Sequence, residues 1–247
     1  MDMNLKSALS TAVLSIIVLP ALAESQACSE QDLELAATFL TESGKRKASE
    51  DEQGAIANAC KPWPGKEPYT IGVFVYEGEQ NGKRLLVALL DRSQHKVAAS
   101  YWTIAEEDAI MRYVDGIRID TARYQLQPGL RAFGVDINTY TPRYVSGGYG
   151  PMRTLYVREG SAIRPVLSDM PVSRWSYLGE MQWEPGENGE IGPEPDIERF
   201  DYTISIAGTR TKGFADLVVT RKSNQQDTKP TTQLLRYGGK LYPLPQE

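Results

Sequence analysis

The stretch that decides the fold runs from Gln127 to Leu167: Pro128-Gly129, then Leu130-Arg-Ala-Phe-Gly-Val-Asp-Ile137, a polar loop, Arg153-Thr-Leu-Tyr-Val157, Glu159-Gly160, and Ile163-Arg-Pro-Val-Leu167. Short runs rich in β-branched and aromatic residues, cut by Pro-Gly and Glu-Gly, read as three strands joined by one long and one tight connection. Much of this pattern returns near the C-terminus. Lys212-Gly213 opens the echo, Phe214-Ala-Asp-Leu-Val-Val219 is its apolar run, and Gln233-Leu-Leu-Arg-Tyr237, Gly238-Gly239 and Leu241-Tyr-Pro-Leu244 complete it. The expectation is a pair of similar three-stranded modules near 127–167 and 212–244.

Working outward, the intervening chain keeps the strand character. Tyr69-Thr-Ile-Gly-Val-Phe-Val-Tyr76 is followed by Arg84-Leu-Leu-Val-Ala-Leu-Leu90, apolar on both faces as in the middle of a sheet, and by Lys96-Val-Ala-Ala-Ser-Tyr-Trp-Thr-Ile104. Ile117, Ile119 and Thr121 alternate with Arg118 and Asp120, as a half-buried strand would, and Phe200-Asp-Tyr-Thr-Ile-Ser-Ile206 continues the theme. Residues 105–113 read as a helical turn capped at Thr103. The chain is therefore expected to be mainly β, as a sandwich or a partial propeller-like stack.

Only the N-terminal part reads as helical. Ser29 with Asp32, and Ser49 with Glu52, have the spacing of capping boxes. The first opens a segment whose Leu33, Ala36, Ala37 and Leu40 share a face, ended by Gly44; the second leads to Ile56, Ala59 and Cys60 before Pro62. An antiparallel helical hairpin would bring the start of one beside the end of the other, where Cys28 and Cys60, the only two cysteines, stand. A disulfide between them is expected, as a structural staple. The division of the chain is thus 1–23, a secretory leader cleaved near Ala23; 24–66, the helical hairpin with its linker Lys61-Pro-Trp-Pro-Gly-Lys66; and 67–247, the β domain.

The apolar run from Ala8 to Leu19 and the small-residue exit Ala21-Leu-Ala23 are the marks of that leader, and they imply a protein of the periplasm or outside the cell. The 224 residues that follow a 23-residue leader in a chain of 247 are ample for a sizeable core. Net charge of −5 disfavours nucleic acid and anionic membranes, and suits a basic or neutral partner.

The run Gly213-Phe-Ala-Asp-Leu-Val-Val219 resembles the end of a VCBS or FG-GAP-type β repeat, in which an acidic glycine-rich loop precedes a similar strand. The closing Leu235-Arg-Tyr-Gly-Gly-Lys-Leu-Tyr242 is similar to the hairpin that follows it in exported bacterial proteins of that kind. The resemblance covers about a quarter of the chain. It implies a calcium loop, which needs six to eight oxygen ligands, yet the corresponding positions are Thr209-Arg-Thr-Lys212, two of them cationic. The expectation is a fold without the metal.

The catalytic inventory is thin. His95 is the single histidine and sits in the polar turn Asp91-Arg-Ser-Gln-His-Lys96. With the cysteines paired, one histidine cannot assemble a zinc or copper cluster, and no Gly-x-Ser-x-Gly elbow or phosphate-binding glycine loop is present. No catalytic residue, metal ligand or cofactor is assigned. Residues 184–198 hold Glu184, Glu187, Glu190, Glu194, Asp196 and Glu198 among Pro and Gly, the composition of a solvated connection.

The sharpest candidate is the loop inside the first module, Asn138-Thr-Tyr-Thr-Pro-Arg-Tyr-Val-Ser-Gly-Gly-Tyr-Gly150. Tyr, Ser, Gly, Asn and Arg together are the residue types of binding loops, and Tyr140, Arg143, Tyr144 and Tyr149 are the expected partner contacts. The reading is a non-enzymatic binding or inhibitor protein that presents loops to another protein, such as an immunity protein against a cell-wall-targeting toxin or a lysozyme-type inhibitor. The alternatives are an envelope enzyme cleaving glycan through a pair of carboxylates, and a structural accessory of the envelope.

Overall fold

The computed structural model describes residues 25–46, 54–64, 68–78, 82–105, 116–138, 147–179 and 196–246. The protein is mainly β. Among the described residues there is one helix, α1 (Glu30–Glu42), and thirteen strands. Strands β1 (Ala57–Pro62), β2 (Tyr69–Glu77), β3 (Lys83–Asp91), β4 (Lys96–Ala105), β5 (Ile117–Gln127), β6 (Leu130–Ile137), β8 (Met152–Glu159) and β9 (Ala162–Pro171) form one sheet in the order β1-β2-β3-β4-β9-β8-β6-β5. A second sheet has the order β13-β12-β11-β10-β7, built from β7 (Gly147–Tyr149), β10 (Ser173–Tyr177), β11 (Ile197–Thr211), β12 (Phe214–Ser223) and β13 (Thr231–Leu235). No helix among the described residues is long and apolar enough to cross a membrane.

The large sheet curls until it nearly closes on itself. β5 returns beside β1, where the Lys61 Nζ donates to the Ile119 carbonyl at 3.1 Å. The chain just before α1 seals the remaining gap. Gln26 exchanges both backbone hydrogen bonds with Cys60, and the Ser25 hydroxyl accepts from the Ile119 N–H at 2.7 Å. Capping the free polar groups of two edge strands in this way removes the exposed edge that a flat sheet would carry.

Three cores follow from that curl. Inside it pack Ile71, Val73, Val87, Leu89 and Ile119, with the aromatic rings of Trp63, Phe133 and Tyr156 filling the middle. On one outer face, α1 lays Ala36 and Leu40 over Phe74, Tyr76, Leu86 and Leu90. On the opposite outer face the small sheet packs Tyr202, Leu217 and Val219 against Leu126, Leu155 and Leu167. β2 and β3 are apolar on both faces because one face lines the interior and the other lies beneath the helix. Two layers of sheet face each other, as in a sandwich, but one of them is close to a barrel; a propeller-like stack is not what forms.

Several expectations change. The helix α1 begins with the expected capping box, Ser29 on the Asp32 N–H and Asp32 on the Ser29 N–H, and Gly44 just beyond its end holds φ +65. The second helix does not form over 57–62, which instead pairs along its whole length with β2, from Ala57↔Val75 to Pro62↔Thr70. Six residues of cross-strand pairing outweigh the weak helical preference of a segment that ends in proline. The helical hairpin is therefore a helix and a strand, and β1 belongs to the large sheet although the 24–66 boundary set it apart. Residues 49 and 52, the second capping pair, lie outside the described residues, as do residues 1–24 with the leader. Most of the 105–113 segment does too, and its expected cap Thr103 lies within β4. The Cys28–Cys60 disulfide is present, closing a sequence separation of 32.

The first module's strands are β6, β8 and β9, consecutive antiparallel neighbours. The second has β12 and β13, entered by a two-residue turn in which Lys212 and Gly213 both hold positive φ, the geometry that suits a right-twisted hairpin. Its third segment, 241–244, is not a strand. It crosses to the large sheet, where the Tyr242 N–H donates to the Val166 carbonyl at 2.7 Å, while its hydroxyl donates back to the Ala215 carbonyl of β12.

Candidate functional site

Of the four expected contact residues, Tyr140, Arg143 and Tyr144 lie outside the described residues. Tyr149 ends β7 at the edge of the small sheet and is 47% exposed. It pairs with Arg174 across β7 and β10, and the Arg174 guanidinium lies 5.3 Å from the ring centroid. Glycine makes this edge possible. A Cβ on Gly147 would stand 2.6 Å from the Trp175 carbonyl oxygen, so β7 reaches β10 only without a side chain there. Tyr149 borders two hollows, one on each side of it.

The first is a polar cleft of about 630 Å³ between the two sheets. Arg118 of β5 and Asp136 of β6 line one side, Trp175 of β10 with Arg199 and Asp201 of β11 the other, and Tyr149 the rim. Register explains the second wall. Trp175 is directly opposite Arg199, and Ser173 opposite Asp201, so an aromatic ring, a cation and an acid sit within two residues of each other.

The first wall is anchored by a buried charge network. Asp136 is 1% exposed. It accepts from Arg153 at 2.6 Å (Nε to Oδ1) and 2.8 Å (Nη2 to Oδ2), and from Arg118 Nε and Nη2 at 3.0 and 2.8 Å. Arg153 also reaches Asp120 at 2.8 Å and the Tyr124 hydroxyl at 3.0 Å, while that hydroxyl donates to Asp120 at 2.7 Å. Burial works against charge on Asp120, but the Arg153 guanidinium and the Tyr124 hydrogen bond hold its carboxyl below the ordinary value. Burial likewise opposes charge on Arg153, and the hydrogen bonds and charge of Asp136 outweigh it, raising its pKa. The Tyr124 hydroxyl is pushed well up, chiefly by burial, and stays a neutral donor. With both Asp136 oxygens held by guanidinium donors, neither is left free to take up or deliver a substrate proton.

The second hollow, about 520 Å³, is more apolar. Met152, Pro171, Tyr202, Val219 and Leu244 line it, with Arg221 at one side. Arg221 stacks over the Phe200 ring at 3.8 Å.

Elsewhere the expected chemistry resolves into structure. His95 is exposed in its turn, where Ser93 Oγ and the Gln94 N–H both donate to the Asp91 carboxylate. Arg92 from the same turn donates twice to the buried Asp32, at 2.8 and 2.6 Å. In the 209–212 segment, Arg210 donates to the Leu126 carbonyl, Lys212 to the Gly238 carbonyl, and Thr209 to the buried Asp216. Among the described residues no three His, Cys, Asp or Glu side chains gather as a metal site would require. Trp63 and Trp102 pack on cores, Trp175 lines the polar cleft, and Trp183 lies outside the described residues.

Residue reading missed Trp175, Arg199, Asp201, Arg118 and Asp136 as one group. The signal was the alternation itself: Arg118 with Asp120, and Arg199 with Asp201, occupy positions two apart on the polar face of otherwise apolar strands. No family model, curated protein or solved structure matches the chain, so the cleft is interpreted from its own chemistry.

Proposed function

We propose that the chain is an exported, non-enzymatic binding protein that presents the Tyr149 rim to another protein. The observation that carries this is the position of Tyr149, an exposed aromatic residue between two hollows, with Trp175 lining one of them and the Arg174 guanidinium against its ring. Tyr, Trp and Arg clustered beside a concave surface are the residue types that dominate protein interfaces. The disulfide supports the exported reading, because such bonds persist where the surroundings are oxidising. An immunity protein or an inhibitor of a basic envelope enzyme fits the overall charge of −5. A glycan-cleaving pair is the weaker reading. Asp136 and Asp201 are the two acids lining the cleft, and Asp136 is held between two arginines.

The test is affinity capture from envelope extract with the wild-type protein and with Tyr149→Ala combined with Trp175→Ala. Isolated partner should then bind the double variant at least roughly tenfold more weakly. Equal affinity for both proteins would remove this rim from the reading.

A further inference from the structure

We infer that the polar cleft is a binding site for a free peptide α-carboxylate. Each wall supplies an arginine with donors to spare. Arg118 turns Nε and Nη2 to Asp136 Oδ2, and its side chain is still 60% exposed, so Nη1 is open to the cleft. Arg199 faces it across the gap. Among the described residues its guanidinium has no hydrogen bond and no ion pair; Asn224 engages only its backbone, at the N–H and the carbonyl. A planar guanidinium with all five donors free is the group best matched to a carboxylate, which it can take in two parallel hydrogen bonds.

The rest of the cleft narrows what carries the carboxylate. Asp136 does not repel it, because its charge is already shared between Arg153 and Arg118. Asp201 lies two residues from Arg199 on the same strand, on the order of 7 Å along it. Its carboxylate also lacks a partner among the described residues. A ligand with an N–H or ammonium a few bonds from its carboxylate satisfies both groups at once, which is the pattern at the end of a peptide chain. Trp175, opposite Arg199 in register, offers an apolar wall for the terminal side chain. A simple inorganic anion would leave Asp201 unanswered.

The claim stands apart from the protein-partner reading because peptides alone test it. The probes are acetyl-Ala-Ala with a free C-terminus, the same peptide with a C-terminal amide, and a decapeptide ending in Ala-Ala. The readout is the Trp175 indole N–H resonance, assigned with Trp175→Phe. The acid should shift it in a saturable manner by about 20 mM peptide, and the amide should bind at least roughly tenfold more weakly. Arg199→Gln, on the surface and outside any core, should bring the same tenfold loss, and Asp201→Asn a smaller one. Equal binding of acid and amide, an unchanged Kd in Arg199→Gln, or no shift with either peptide would overturn the assignment. A decapeptide that binds as the dipeptide does points to small free peptides as the ligand, and one that binds at least tenfold tighter points to the end of a protein chain.

Discussion

Asp136 is bonded by two arginines at similar distances and very different burial, which makes them an internal control for what holds the cleft wall. The Arg153 side chain is 7% exposed and that of Arg118 60%. Arg153→Met leaves Asp136 and Asp120 without their buried counter-ion, a change that costs about 3–5 kcal/mol. Arg118→Met removes a solvent-screened partner from a carboxylate that keeps its inner pair, and should cost no more than about 1 kcal/mol. With an m-value of roughly 2–3 kcal/mol/M in urea for a chain of this size, the midpoint should fall by about 1–2.5 M for Arg153→Met and by less than about 0.5 M for Arg118→Met. Urea unfolding followed by tryptophan fluorescence measures both. Adding Asp136→Leu to Arg153→Met should cost less than the two single changes summed, because the stranded charge is gone. Equal midpoint losses for Arg118→Met and Arg153→Met would refute the reasoning, since burial would then not be what separates them.

Three further outcomes follow from other parts of the fold. Replacing Cys28 and Cys60 by Ser should cost roughly 3–4 kcal/mol by loop entropy over a separation of 32, and should raise hydrogen exchange at Gln26 and Cys60, whose pairing the bond pins; unchanged exchange there would separate the seam from the disulfide. The Asp32, Asp120 and Asp216 carboxyls all sit below their ordinary value of 3.8 in the folded protein, burial being outweighed in each by hydrogen bonds or a nearby arginine. Their stabilisation is present above about pH 4 and is lost as pH falls through the lowered values, so thermal melts at pH 7 and pH 5 should agree on this account and then decline, more gently in Asp32→Asn. Gly147→Ala should drive a methyl group against the Trp175 carbonyl, free the Gly148 and Trp175 amides to exchange, and cost about 1–3 kcal/mol; amide exchange by NMR decides it.

Periodicity carried the β character, and it did so where burial is two-sided. The apolar run from Leu85 to Leu90 has one face in the curled interior and one beneath α1, so nearly every position had to be apolar. The capping box at Ser29 and Asp32 was legible because its chemistry is local. The segment 57–62 was not. Its choice between helix and strand is made by β2, a partner that a local reading cannot weigh. Closure of the large sheet depends on Ser25 and Lys61 meeting Ile119, contacts separated by 94 and 58 residues. The cleft escaped for the same reason. Arg118, Asp136, Arg153 and Arg199 read singly as ordinary polar positions on four strands, and only the packing of two sheets makes them a site. Binding-loop composition, a local signal, is what singles out Tyr149.

The account turns on whether the Tyr149 rim is where a partner docks. Site-specific photo-crosslinking from position 149, against position 38 on the exposed side of α1 as a remote control, tests this most directly. A single defined protein crosslinked from 149 and absent from 38 is the predicted result. Crosslinking of the same proteins from both positions, or from 38 alone, would contradict it.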